Sequence, residues 1–259
     1  MAEYATNQDR TAAYLEKFDR QAVLSRLLGA QDEGGGIRGG PVVLDIGSND
    51  GATVREFKTW WPTAVIHCFE PQSECWEALD AVAQRYGQGD VVINRSAAGN
   101  ESLGTRPFFT HEISTGLSGF HRISETSRDS IDLTRAKKGF KLDEYLAALN
   151  RPRSVPVVRP DEYLRDNNID TVDLVKIDTQ GHEPEVLEGF GNLLSECGVV
   201  LVELMFYDYY EKRVSFSDVE RFLNPAGLSL YDISHISKNP MNGRTDWVDV
   251  VYVHERLRQ

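Results

Sequence analysis

Residues 42–51 read Val-Val-Leu-Asp-Ile-Gly-Ser-Asn-Asp-Gly, and about twenty-five residues after Asp45 a second apolar run closes on Phe69-Glu70-Pro71. An apolar strand entering a glycine-bearing turn, followed by a second strand ending in an acid, opens a nucleotide-binding α/β unit. The details narrow the ligand. A dinucleotide site wants three glycines so that the pyrophosphate can lie on a helix N-terminus. Here Gly47 is present, but Asn49 and Ala52 stand where the second and third glycines belong. Asp45, at the strand end, would repel a pyrophosphate and suit an ammonium group. S-adenosylmethionine meets these demands: it has an aminoacyl end, a cationic sulfonium, and ribose hydroxyls that need an acceptor such as Glu70.

Bulk properties fit an enzyme with one large core. A chain of 259 residues, 41% hydrophobic and 26% charged, can form a single α/β domain over residues 41–259, preceded by an N-terminal helix and Gly-rich loop over 1–40. The formal charge of −12 argues against nucleic-acid or anionic-membrane partners, which call for clustered Lys and Arg. No apolar run approaches the ~20 residues of a membrane span, and Met1–Arg10 carry no apolar secretory core. The three cysteines, Cys68, Cys75 and Cys197, form no Cys-x-x-Cys pair. They read as buried thiols of a reducing compartment, so a cytoplasmic location is expected.

The order of elements follows from periodicity. Thr11–Leu28 reads as an amphipathic helix that could cap a cleft or pair with another subunit, and the glycine clusters after it as a loop. Strand-like runs at Val42–Ile46, Val65–Phe69 and Val91–Asn94 alternate with helical segments at Thr53–Trp60 and Glu74–Tyr86. Val172–Asp178 and Val199–Glu203 resume the pattern around a helix near Glu183–Leu194, with Pro184 in its first turn. Such alternation predicts a parallel sheet with right-handed crossovers. Leu228–Ile233 and Val248–His254, separated by a turn containing Asn242-Gly243, predict a closing antiparallel hairpin.

Residues 100–156 break the rhythm. One short helix, Leu142–Leu149, is legible, and the rest is rich in Ser, Thr, Gly and charge. A segment of this length between sheet strands reads as a lid or binding insertion. Between Phe120 and Pro160, nine Lys and Arg side chains stand against five acids. That excess fits either a solvated surface or an electropositive wall for an acceptor carrying a carboxylate or phosphate.

Four blocks together carry a family resemblance: Asp45-Ile-Gly-Ser-Asn-Asp-Gly51, Phe69-Glu-Pro71, Asn94-Arg-Ser-Ala-Ala-Gly99 and Leu174-Val-Lys-Ile-Asp-Thr-Gln-Gly-His-Glu183. With Val186-Leu-Glu-Gly189, Val202-Glu203 and Asp249-Val-Val-Tyr-Val253, the chain resembles the FkbM-type family of S-adenosylmethionine-dependent methyltransferases over roughly residues 42–254. It departs from the family's usual pattern at Ser48, where alanine is common, and at Gln180, where an acid is common. The resemblance implies a class I Rossmann-like methyltransferase fold, here a mostly parallel seven-stranded sheet with the C-terminal hairpin. It also implies O-methylation of sugars, polyketides or other metabolites.

In an open α/β sheet the ligand sits beyond the carboxyl ends of the strands. Asp45, Glu70, Asn94–Ser96, Asp178 and Glu203 fall there on five strands. The cofactor residues are therefore read as Asp45, Gly47, Ser48, Asn49, Gly51, Glu70, Pro71, Ser96 and Asp178, with Asp45 and the 47–51 turn at the methionine end and Glu70 on the ribose. A purely structural role for Gly47 and Gly51 would leave the strand-terminal acids unexplained.

A hydroxyl acceptor must lose a proton, and His182, beside Asp178 across Gly181, is the expected base because imidazole titrates near neutrality. The competing reading is a helix-capping histidine, and His111 and His121 are alternative bases within the insertion. Asp178, His182 and Glu203 could instead hold a divalent cation, a reading not favoured because their spacing is loose. The rival functions are a nicotinamide or nucleotide-sugar oxidoreductase and a non-catalytic methyltransferase-like module.

Overall fold

The apolar runs become strands because their β-branched side chains pack between two helical layers. The computed structural model describes residues 17–29, 40–87, 89–101, 104–131, 141–239 and 242–258. The strands are β1 (Val42–Ile46), β2 (Val65–Phe69), β3 (Val91–Asn94), β4 (Ala97–Ala98), β5 (Gly104–Thr110), β6 (Arg151–Val158), β7 (Val172–Ile177), β8 (Cys197–Met205), β9 (Leu228–Lys238) and β10 (Thr245–His254). Seven form the main sheet in the order β3-β2-β1-β7-β8-β10-β9. The pairs from β3 to β8 are parallel, and β10 runs antiparallel to both β8 and β9. This is the Rossmann-like methyltransferase sheet that the sequence predicts. Among the described residues no helix is long and apolar enough to cross a membrane.

The α-helices among the described residues include α1 (Arg20–Gly29), α2 (Ala52–Trp60), α3 (Ser73–Tyr86), α4 (Leu142–Ala148), α5 (Pro160–Asp166), α6 (Glu183–Gly189) and α7 (Phe216–Leu223). Side chains alternate across each strand. On one face Val43, Leu174 and Leu201 pack against Leu24, Leu27 and Leu28 of α1, Val54 and Phe57 of α2 and Val82 of α3. On the other, Leu44, Val175 and Val202 pack against Leu164 of α5, Val186 and Leu187 of α6 and Val219 and Leu223 of α7. A fully buried side chain of this size contributes about 1.5–3 kcal/mol. Trp60 and Trp61 stack edge to face at 5.6 Å at the end of α2, as packing and not as a ligand surface.

Three boundaries are corrected. The N-terminal helix begins at Arg20, where Asp19 Oδ1 caps the Ala22 amide at 2.8 Å. Residues 17–19 are not helical, and the expected turns over 11–16 lie outside the described residues. The helix after β7 stops at Gly189 and gives way to a 3₁₀ turn over Gly191–Glu196. The insertion also holds more than one helix. Its ends form a second sheet, β4-β6-β5, that brackets residues 111–150.

Gly189 marks where this second sheet meets the main domain. A Cβ there would lie 2.2 Å from the Gly99 carbonyl oxygen and 2.8 Å from Pro160 Cδ. Gly189→Ala is therefore expected to destabilise the fold by about 1–3 kcal/mol through overpacking, read as a lower urea midpoint. Gly29→Ala, where a Cβ meets nothing within 4 Å, is the control and should leave the midpoint nearly unchanged.

Candidate active site

The turn after β1 passes directly against the end of β7. Gly47 has φ +85°, and a Cβ on it would come within 2.0 Å of the Asp178 carbonyl oxygen, so only glycine fits. The Gly47 and Ser48 amides both donate to the Phe69 carbonyl, at 3.0 and 3.2 Å, which ties the turn to the end of β2. Glu70 completes the link. Its two carboxylate oxygens accept from the Asn49 amide at 2.9 Å and the Gln72 amide at 2.8 Å. Burial pushes the Glu70 carboxyl up, and these amide donations oppose the rise.

A cleft of about 530 Å³ opens above these ends. Gly47, Asn49, Glu70, Pro71 and Asp178 line it, as expected of cofactor residues, together with Phe69, Ala97, Ala98 and Phe108 as an apolar slot. Its lining includes two acids, Glu70 and Asp178, and no Lys, Arg or His.

The other expected cofactor residues stand behind the wall. Ser48 is buried and its hydroxyl donates to the Asp45 carbonyl at 2.7 Å. Gly51, at φ +77°, caps α2 against Leu79, and Ser96 is buried beside β4. Asp45 is fully buried, and its counter-charge is Lys176 Nζ at 3.7 Å. Burial raises its carboxyl above the ordinary range, against the pull of Lys176. Asp45 is not part of the cleft lining, and among the described residues neither of its carboxylate oxygens has a hydrogen-bond partner. The same ammonium reaches the Gly47 carbonyl and Asp178 Oδ2, both at 3.2 Å.

His182 also leaves the cleft. It is 1% exposed and lies against the Phe120 ring, with centroids 4.3 Å apart. Burial lowers its pKa to about 3. The expected imidazole base near neutrality is therefore corrected to a buried neutral ring at the N-cap of α6, without a capping hydrogen bond. His111 is a turn residue, its Nδ1 accepting from the Ile113 and Ser114 amides at 3.1 Å. Asp178 and Glu203 do converge. Gln180 Nε2 donates to Asp178 Oδ1 at 2.7 Å and to Glu203 Oε1 at 3.3 Å. Burial, then the charges of Asp178 and Asp249, raise Glu203 well above the ordinary carboxylate range. Glu203 borders two further spaces: one of about 310 Å³ with Met205, Tyr207 and Tyr210, and one of about 440 Å³ with Arg20, Lys176 and Asp249.

The insertion closes over both halves of the site, through contacts that the sequence did not disclose. Thr115 Oγ1 donates to Asn49 Oδ1 at 2.8 Å, and Gln72 Nε2 donates to the Thr115 carbonyl at 3.1 Å. Beside Glu203 the Tyr210 hydroxyl lies 2.9 Å from the Leu117 carbonyl and 2.7 Å from Gln180 Oε1. Among the described residues, no Lys or Arg of the basic segment lines the first cleft. Arg122, Arg151, Arg153 and Arg159 each pair with an acid, Glu125, Glu112, Glu74 and Asp161 in turn. Arg135, Lys137 and Lys138 lie outside the described residues.

A family model described as Methyltransferase FkbM domain matches residues 45–230. The 2-O-methyltransferase NoeI of Sinorhizobium fredii is 27% identical over 178 residues, 67% of this chain and 67% of that protein. The 31-O-demethyl-FK506 methyltransferase FkbM of Streptomyces tacrolimicus is 28% identical over 159 residues, 59% of this chain and 60% of that protein. The chain therefore spans 60–67% of the length of these two relatives. A solved structure of methyltransferase FkbM from Methylobacillus flagellatus shares the fold, with TM-score 0.50 at 12% identity over 95% of this chain and 59% of that one.

Tyr210 is the joint between insertion and core. Tyr210→Phe removes the hydroxyl and leaves buried acceptors at Leu117 and Gln180, which should cost about 1–3 kcal/mol. Urea denaturation measures the loss, and amide hydrogen exchange over residues 115–118 should quicken in the same variant.

Proposed function

The chain belongs to the FkbM methyltransferase family, and from that premise we propose an S-adenosylmethionine-dependent O-methyltransferase acting on a hydroxyl of a small metabolite, sugar or natural product. One observation carries the cofactor assignment: the cleft at the strand ends offers two carboxylates and no cationic side chain. Such a lining repels a pyrophosphate and suits a ligand with an ammonium and a sulfonium. Glu70 would accept from the ribose hydroxyls with the lone pairs left over from its two amide bonds. Phe69, Ala97, Ala98 and Phe108 would take the flat base, and the Gly47–Asn49 turn with Asp178 the aminoacyl end. When bound, the cofactor supplies an electrophilic methyl group.

The protein's part is to position the acceptor and remove its proton. Glu203 supports that role best, since it borders the spaces beside Asp178 and its raised pKa suits a base working nearer neutrality. Both relatives named above carry an O-methyl assignment in their names, which favours a hydroxyl acceptor. The three free cysteines are all buried, in keeping with a reducing compartment such as the cytoplasm.

Titration calorimetry with S-adenosylmethionine, S-adenosylhomocysteine and NAD tests the reading. Micromolar binding of NAD alone would overturn it. Glu70→Gln should weaken S-adenosylmethionine by roughly 1.5–3 kcal/mol through loss of charge-assisted hydrogen bonds, with the fold verified by circular dichroism.

For the base, Glu203→Gln should lower turnover by about 10²–10⁴-fold while cofactor affinity stays near the wild-type value. The base acts unprotonated, so wild-type activity should fall as pH drops through the raised Glu203 pKa. A pH–rate profile of the variant should lack that limb; a limb that persists would assign the proton to another group.

A further inference from the structure

Three side chains beside the cleft converge without lining it. Neither ring nitrogen of His182 has a hydrogen-bond partner among the described residues, and the same is true of His121 Nε2 and Glu185 Oε2. Buried polar atoms left unpaired cost roughly 1–3 kcal/mol each unless something joins them. One ligand atom from each of His121, His182 and Glu185 lies within 4.8 Å of the others. His182 Nδ1 stands 3.5 Å from Glu185 Oε2, too far for a good hydrogen bond.

We propose that a divalent transition cation, zinc foremost, binds between His121, His182 and Glu185. Two imidazole nitrogens and a carboxylate oxygen are the donor set of a borderline cation. Bonds of about 2.0–2.1 Å around a tetrahedral ion hold its donors roughly 3.4 Å apart, and the His182–Glu185 separation of 3.5 Å meets that spacing. The alternative trio of Asp178, His182 and Glu203, not favoured from the sequence, is not among the groups of converging ligand atoms in the described residues. His182 and Glu185 stand one turn apart at the start of α6, which fixes their relative position.

The surroundings hold the donors in place. Glu185 Oε1 accepts from Lys212 Nζ at 2.6 Å, and the His121 ring packs against Gly181, where a Cβ would meet His121 Cδ2 at 3.2 Å. Such supporting contacts orient metal ligands. Phe120 covers one face of His182, and a Cβ on Gly99 would meet His182 Nε2 at 3.1 Å. The charges facing the site besides Glu185 are Lys212 and Arg106. Their repulsion weakens the ion, so affinity should fall short of a four-ligand structural zinc. The fourth position is left to water.

The consequence is mechanical. His121 belongs to the insertion, whereas His182 and Glu185 belong to the main domain, and Phe120 beside them lines the first cleft. The cation would staple the lid to the core and set the position of that wall. The inference does not rest on methyl transfer, and its test reads binding alone.

The full chain, stripped with a chelator, is titrated with Zn²⁺ in competition with a chromophoric chelator, and with Co²⁺ for its visible absorption. The expected result is one equivalent at micromolar affinity or tighter. His121→Ala and Glu185→Gln should each weaken it by at least about 100-fold, since even supporting contacts are worth 10–100-fold. Hydrogen exchange over residues 118–123 should slow on adding Zn²⁺ to the wild type and not to a folded variant. If the wild type takes up neither ion at about 1 mM, the weak end of the affinity scale, the proposal is overturned. Equal binding by the wild type and the half-exposed His121→Ala variant overturns it as well.

Discussion

A single buried ammonium organises the carboxyl end of the sheet. Lys176 stands opposite Asp45 across the β1–β7 pair, and its Nζ reaches Asp45, Asp178 and the Gly47 carbonyl together. Burial disfavours its charge, but Asp178 and Asp45 outweigh that cost and hold the pKa above the ordinary range. Without it, two carboxylates would face each other beneath the cleft in a medium that screens them poorly. Breaking a buried pair by removing one partner typically costs about 3–5 kcal/mol. The glycine turn, the end of β7 and the floor of the cleft are therefore one electrostatic unit.

Above that floor, two cores of different character share the work. The main sheet is sealed by aliphatic packing on both faces, which makes it a rigid platform. The insertion has its own small aromatic core of Ile123, Tyr145, Leu149, Tyr209 and Tyr210. Two of these, Tyr209 and Tyr210, come from the segment after β8, so the lid's core is completed by the main domain. The aromatic cluster that follows the Glu203 strand is thus mostly lid packing, with Tyr207 and Tyr210 also at the rim of the acceptor space.

The main sheet was legible because most of its parallel strands are short, largely apolar runs closed by a polar residue. The second sheet was not. β6 carries Pro152 and Pro156, and its first four residues are exposed, so neither alternation nor a continuous run survives. Two short helices escaped notice although their caps are written in the chain. Pro160 with Asp161 and Glu162 opens α5, and Ser215 with Asp218 forms the capping box of α7. In the site, Glu70, Gly47 and Asp178 were readable because strand ends are fixed by the fold class. His182 stands against Phe120 and outside the cleft lining, because sequence shows which residues lie near a strand end but not which neighbour packs in front of them.

Gln180 occupies a left-handed backbone position, φ 57°, and its side chain bridges Asp178 and Glu203. Its amide nitrogen serves both carboxylates while its oxygen faces the Tyr210 hydroxyl, so the polarity of the group can be satisfied in one orientation only. An acid at this position could not donate twice, and it would bring a third like charge to a pair already crowded. One uncharged side chain therefore couples two acids of the main sheet to the hydroxyl that anchors the insertion.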